Sequence, residues 1–120
     1  MTPQELQKRT KQFALEVMKV SAILEKELLA KLVGRQMFRS STSTAANYRA
    51  ACRSKSTKDF IAKLGIVIEE VDETCFWLEL LLDSHMPNHK TVEEILKEAR
   101  ELTAIMVASR NSSIRNQRND

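Results

Sequence analysis

Chain breakers are scarce in this sequence. Two glycines and two prolines in 120 residues are too few for a protein built from tightly turned strands, which draw on Gly and Pro at their bends. The glycines stand alone at Gly34 and Gly65, so no glycine-rich loop is present to cradle a phosphate. No apolar run approaches the roughly 20 residues of a membrane span. The opening stretch MTPQELQKRT is polar throughout, so no signal peptide and no membrane association are expected, and a cytoplasmic location is the default expectation. Aromatic residues make up 5% of the chain, and between Arg39 and Lys58 only Tyr48 is aromatic. Recognition of single strands by base stacking is therefore disfavoured.

Cysteine and histidine are equally sparse. Cys52 and Cys75 fit neither a metal motif nor a disulfide framework. If the chain reverses near Ser56, their axial offset is roughly 20–25 Å at 1.5 Å per residue, whereas a disulfide needs Cα atoms within about 7 Å. No Glu is followed by His three residues on, as di-iron bundles require. His85 and His89 flank Pro87 and read as exposed loop residues. No catalytic site, metal or cofactor is expected, and the chain does not read as an enzyme. The acids Glu69, Glu70, Asp72 and Glu73 could in principle exchange protons, but a charge run on a helix is usually a solvated or paired face.

What is present is helix-forming residue types: 42% hydrophobic and 29% charged, rich in Leu, Ala, Lys, Glu and Arg. Three helix starts carry capping chemistry. Thr2-Pro3-Gln4-Glu5, Ser56-Thr57-Lys58-Asp59 and Thr91-Val92-Glu93-Glu94 each place a hydroxyl before an acid, satisfying first-turn amides and suiting the positive end of the helix dipole. Apolar spacing between these starts is helical. Leu6, Phe13, Val17, Val20 and Leu24 mark the first segment. Phe60, Leu64, Val67, Val71, Thr74, Leu78 and Leu81 mark the third, and Ile95, Leu102, Ile105 and Met106 the fourth. The expected architecture is all-α, an antiparallel up-down-up-down four-helix bundle with helices near 3–25, 29–54, 57–84 and 92–110. One domain covers 1–110, and NSSIRNQRND at 111–120, where the pattern lapses, is expected to be a frayed or disordered tail. No Gly or Pro marks the join between the first two helices. Closure of four similar lengths places it near Glu25 to Leu28.

The segment RSSTSTAANYRAACRSKS, Arg39 to Ser56, decides the character of the second helix. On a wheel, Leu29, Leu32, Gln36, Ser40, Ser43, Asn47 and Ala50 share one narrow face. The expected reading is a small, polar inward face across which Gln36 and Asn47 hydrogen-bond. Arg35, Arg39, Arg49 and Arg53 form a second stripe, within about 80° of arc and about a quarter-turn from that face. Charge is segregated along the chain. From Lys31 to Lys63 there are eight basic residues and one acid, and from Leu64 to Ser84 six acids and no base.

The runs GRQMFRSSTSTAANYRAA, KSTKDFIAKLGI and EEVDETCFWLELL resemble the bacterial four-helix-bundle proteins encoded in intervening sequences of large-subunit ribosomal RNA genes. The resemblance covers roughly 10–107 and includes relatives that serve as accessory proteins of retroelement reverse transcriptases. The family pattern corresponds here to Gln36, Arg39, Ser43, Asn47, Ser56, Asp59, Phe60 and Glu70. It departs at Ala50, where many relatives have Glu, and at Glu25, where relatives often have the proline that ends the first helix. The resemblance implies a homo-oligomer, commonly a ring-like pentamer, and for most members no established activity. The apolar Phe76, Trp77 and Leu80, beside the main stripe of the third helix, likewise lead to an expected oligomer larger than a dimer.

Two functional readings follow, and both stay open at this level. In one, a non-enzymatic oligomer engages RNA, DNA or a reverse transcriptase through Arg35, Arg39, Arg49 and Arg53, continued by Lys55, Lys58 and Lys63. In the other, the chain is a structural or protein-interaction scaffold whose arginines pair with Glu69, Glu70, Asp72 or Glu73, within or between subunits.

Overall fold

The computed structural model describes residues 1–85 and 88–119, and these form four helices: α1 (Pro3–Leu24), α2 (Leu28–Ala51), α3 (Thr57–Asp83) and α4 (His89–Asn119). Neighbours in sequence pack side by side, and α4 returns to close against α1. The result is the expected antiparallel up-down-up-down bundle, 52 × 21 × 21 Å, with α1 and α3 pointing one way and α2 and α4 the other.

Two of the three expected caps form. Thr2 and Glu5 exchange hydrogen bonds as a reciprocal box, with Pro3 at the first helical position. Ser56 Oγ accepts from the Asp59 amide at 3.1 Å. At the third start the helix begins earlier, at His89, so Thr91 is an interior residue. Asn88 takes a left-handed φ of 67° just ahead of it, a conformation Asn tolerates well. Met86 and Pro87, part of the expected breaker, lie outside the described residues. The α1–α2 join falls at 25–27, where closure of the bundle requires it.

The core contains Leu6, Phe13, Val17, Val20 and Leu24 of α1, Leu64, Val67, Val71, Leu78 and Leu81 of α3, and Val92, Ile95, Ala99, Leu102 and Met106 of α4. Truncating a fully buried leucine such as Leu78 to alanine would cost about 2–5 kcal/mol. Phe60 and Ile105 are half-buried against this cluster.

The inward face of α2 differs from expectation. Ala30, Gly34, Met37, Ser40, Ser41, Thr44, Tyr48 and Ala51 are buried. Leu29 and Leu32 are exposed at 64% and 53%, Gln36 is exposed, and Ser43, Asn47 and Ala50 are half-buried. The helix is therefore turned by about 100°, one residue's step, from the wheel reading. The face is small, as expected, but its small residues are Gly, Ala, Ser and Thr. A Cβ on Gly34 would stand 3.4 Å from Leu24 Cβ, so α1 and α2 touch closely there. Hydroxyls along this face bond to backbone or to one another: Ser21 Oγ donates to the Gly34 carbonyl at 3.0 Å and Thr44 Oγ1 to the Ser40 carbonyl at 2.8 Å. Ser40 and Thr74 meet hydroxyl to hydroxyl across the α2–α3 seam at 2.7 Å. Thr74 Oγ1 also donates to the Glu70 carbonyl at 2.9 Å, which leaves Ser40 as the donor to Thr74.

The segment 111–119, expected as a frayed tail, is instead the last part of α4. Its pattern lapses because the half-buried Ser109 and Ser113 and the exposed Asn116 are polar. They line a hollow with Tyr48, Cys52 and Ser54 at the α2–α3 end of the bundle.

Candidate functional site

With α2 so turned, the arginine stripe lies nearly opposite the core, on the outer wall of the bundle. Its members have different surroundings. Arg39 reaches across to α3, where Nη1 donates to Glu70 Oε2 at 3.1 Å and Nη2 donates to Glu73 Oε2. Trp77 Nε1 donates to that same Glu73 oxygen at 3.0 Å. The indole N–H, with Arg39 beside it, holds the Glu73 carboxyl below its usual range despite some burial, and Glu73 in turn raises Arg39. Arg35 instead bonds Glu25 at the end of α1, at 3.2 Å. Lys63 bonds Asp59 one helical turn away at 2.9 Å, and this contact lowers the Asp59 carboxyl. Three of the seven basic candidates thus have acidic partners inside the chain. Pairs this exposed contribute little to stability, about 0.2–1 kcal/mol each.

Arg49, Arg53, Lys55 and Lys58 make no ion pair among the described residues. Arg49 and Arg53 stand across a groove from Lys8 and Lys11 of α1. Those two lysines escape a sequence reading centred on α2, because only the packed bundle brings them alongside it. Ala14, Leu15, Met18, Ala45 and Ala46 line the groove with them, and no acid does.

The remaining family-pattern residues make local contacts. Asn47 Nδ2 donates to the Ser43 carbonyl at 2.8 Å and to Ser43 Oγ at 2.9 Å, one turn back on its own helix. It does not bridge the core, and neither does the exposed Gln36. Asp59 and Glu70 act as the cap and ion-pair partners already described.

A charge clasp between the outer helices has no signal in local sequence. Arg9 grips Glu98 through two bonds of 2.7 and 2.6 Å and reaches Glu101 at 2.8 Å, joining α1 to α4 across 89 and 92 residues of sequence. This half-buried fork is the strongest ion-pair geometry in the described chain.

Large apolar side chains also remain outside the core. Leu29 and Leu32 of α2 and Phe76 and Leu80 of α3 are 64%, 53%, 54% and 39% exposed. The antiparallel register set by Arg39–Glu70 and Ser40–Thr74 puts Leu32 and Leu29 level with the C-terminal part of α3.

Cys52 and Cys75 are free thiols, and burial pushes the Cys75 thiol upward, which keeps it protonated and a poor nucleophile near neutral pH. Burial likewise raises the Tyr48 phenol. Among the described residues no cluster of His, Cys, Asp or Glu is arranged to hold a metal ion, and no helix is long and apolar enough to cross a membrane.

Comparison with known proteins agrees with this fold. A crystal structure of a protein with unknown function from the S23 ribosomal protein family of Bacteroides thetaiotaomicron superposes with a TM-score of 0.78 at 30% identity, covering 86% of this chain and 95% of that one. No curated protein matches. Residues 3–108 match the family described as 23S rRNA-intervening sequence protein, and the chain belongs to that family.

Proposed function

We propose that this protein is a non-enzymatic, self-assembling four-helix scaffold, and that the apolar band over α2 and α3 is where copies join. The observation that carries this reading is the band itself. A four-helix bundle needs one buried face per helix, yet Leu29, Leu32, Phe76 and Leu80 lie outside the core on two neighbouring helices. Exposed apolar side chains on a bundle that already has a packed core favour association. The turn of α2 strengthens the argument, because residues expected to fill the core are the ones left outside. Arg39 and Arg35, the basic residues adjoining the band, are already paired with Glu70, Glu73 and Glu25. A second copy can therefore cover these two arginines without leaving them unpaired.

A second reading, phosphate binding by the assembled scaffold, is favoured by the unpaired Arg49, Arg53, Lys55 and Lys58. It would act without base stacking and would weaken steeply with salt, since each neutralised phosphate releases counterions.

The test of the scaffold reading is sedimentation of Leu32→Glu and Phe76→Glu beside wild type. Both positions are exposed in the single chain, so circular dichroism should report an intact helical fold. Each variant should lose the larger species that wild type forms. Variants that sediment as wild type does would overturn the proposal.

A further inference from the structure

The hollow at the α2–α3 end of the bundle has a volume of about 630 Å³ and is lined by all four helices. Its apolar lining is Leu6, Ala51, Phe60 and Ile105, one residue from each helix. Around these stand polar side chains. That size and that mixture suit a small organic ligand.

One wall is a row on α4. Ser109, Ser113 and Asn116 are spaced four and three residues apart, so they share a face roughly 10 Å long at 1.5 Å per residue. Hydroxyls elsewhere in the helices bond to the carbonyl one turn back, as Ser21, Thr44, Thr74 and Thr103 do. Ser109 and Ser113 are half-buried, yet they make no hydrogen bond among the described residues. Ser109 follows the core residues Leu102 and Met106 on α4, where packing alone would favour another apolar side chain.

A second wall is the turn into α3, from Ser54 to Thr57. Lys55 is exposed there and makes no ion pair among the described residues. Ser54 Oγ is buried and has no hydrogen-bond partner. Thr57 opens α3, and the first amides of a helix have no acceptor within it. No acid lines the hollow. Asp59 adjoins the Ser54–Lys55 turn, but its carboxylate is paired with Lys63.

We infer that this hollow binds a small phosphate ester, with its phosphate at the Ser54–Thr57 turn and its organic body against Phe60, Ile105 and the α4 row. Lys55 and the open amides of α3 suit the anion. The free hydroxyls of Ser109 and Ser113 and the amide of Asn116 suit hydroxyl groups or ring nitrogens on the body. A nucleic-acid strand held by its phosphates alone would leave the apolar lining unfilled. The hollow lies at the opposite end of the bundle from Leu29, Leu32 and Leu80, so the inference does not depend on self-assembly.

Calorimetric titration of the full chain with AMP, adenosine and inorganic phosphate tests it. AMP should bind more tightly than either fragment, since each fragment meets only one wall. Lys55→Gln should weaken AMP about tenfold, the size of one charge-assisted hydrogen bond, and leave adenosine unchanged. Ser109→Leu should fill the hollow and abolish AMP binding. Circular dichroism and sedimentation should show both variants folded and assembled as wild type is. Absence of AMP binding, or AMP bound no better than inorganic phosphate, would overturn the inference. Equal binding of AMP by wild type and Ser109→Leu would overturn it as well, by placing the ligand elsewhere. Duplex RNA is the competing probe: RNA bound by wild type and weakened in Lys55→Gln, with no binding of AMP, would make the turn a polyanion surface instead.

Discussion

Glu73 shows how a single residue becomes informative only in the fold. Its carboxylate accepts from the indole of Trp77 and from Arg39, contacts that favour the charged form and lower the carboxyl from its ordinary value of 4.5. The sign follows directly. A lowered folded value means ionisation favours the folded state, so this contribution is fully present above pH 4.5 and is lost as pH falls through the folded value. Trp77 is the one tryptophan of the chain, so its emission should report the event. Acid titration should give a fluorescence midpoint below 4.5 that disappears in Glu73→Gln, and a midpoint at or above 4.5 would contradict the assignment. Charge segregation in the sequence suggested pairing between α2 and α3, and Arg39 with Glu70 and Glu73 is that pairing. The role of Trp77 as a donor was not legible, since a tryptophan beside an apolar stripe reads as surface to be covered, not as a donor to a chosen carboxylate.

At the scale of the element, α3 was legible because its inner residues keep an unbroken spacing of three and four, α1 because Phe13, Val17, Val20 and Leu24 do, and Thr2 and Ser56 mark their starts. The rotation of α2 was not. Its face is made of Gly, Ala, Ser and Thr, which hydropathy does not separate from a solvated face, while Leu29 and Leu32 pull a wheel reading toward themselves. Asn47, expected in the core, can satisfy its amide on Ser43 one turn away and so needs no partner across the bundle. The end of α4 was missed for a related reason, since the positions it turns toward the hollow are the polar Ser109, Ser113 and Asn116.

The two glycines turn this account of helix packing into a comparison. A Cβ at Gly65 would meet only Arg110 Nε, at 3.7 Å, whereas one at Gly34 would already touch Leu24 at 3.4 Å. Gly65→Ala should therefore raise stability by about 0.5–1 kcal/mol, the helix-interior cost of glycine. Gly34→Leu should lower it by about 1–3 kcal/mol, because a longer side chain forces α1 and α2 apart. Thermal melts of both variants check this, and a Gly34→Leu protein as stable as wild type would mean the seam is looser than the 3.4 Å contact implies.

For the molecule as a whole, composition and capping were enough to indicate an all-α bundle, and the matched runs of sequence were enough to indicate the family. The surfaces were harder to read. Lys8 and Lys11 join Arg49 and Arg53 only after α1 folds back on α2, and Leu29 and Leu32 become outer residues only once the rotation of α2 is known. Arg9 with Glu98 and Glu101 likewise spans most of the sequence. What distinguishes this molecule from a self-sufficient bundle is apolar surface left outside a complete core, on both sides of α2. Light scattering of the wild-type protein at micromolar concentration tests that claim most directly. The account predicts a mass that is a multiple of 13.7 kDa and larger than a dimer, and a mass of 13.7 kDa across that range would contradict it.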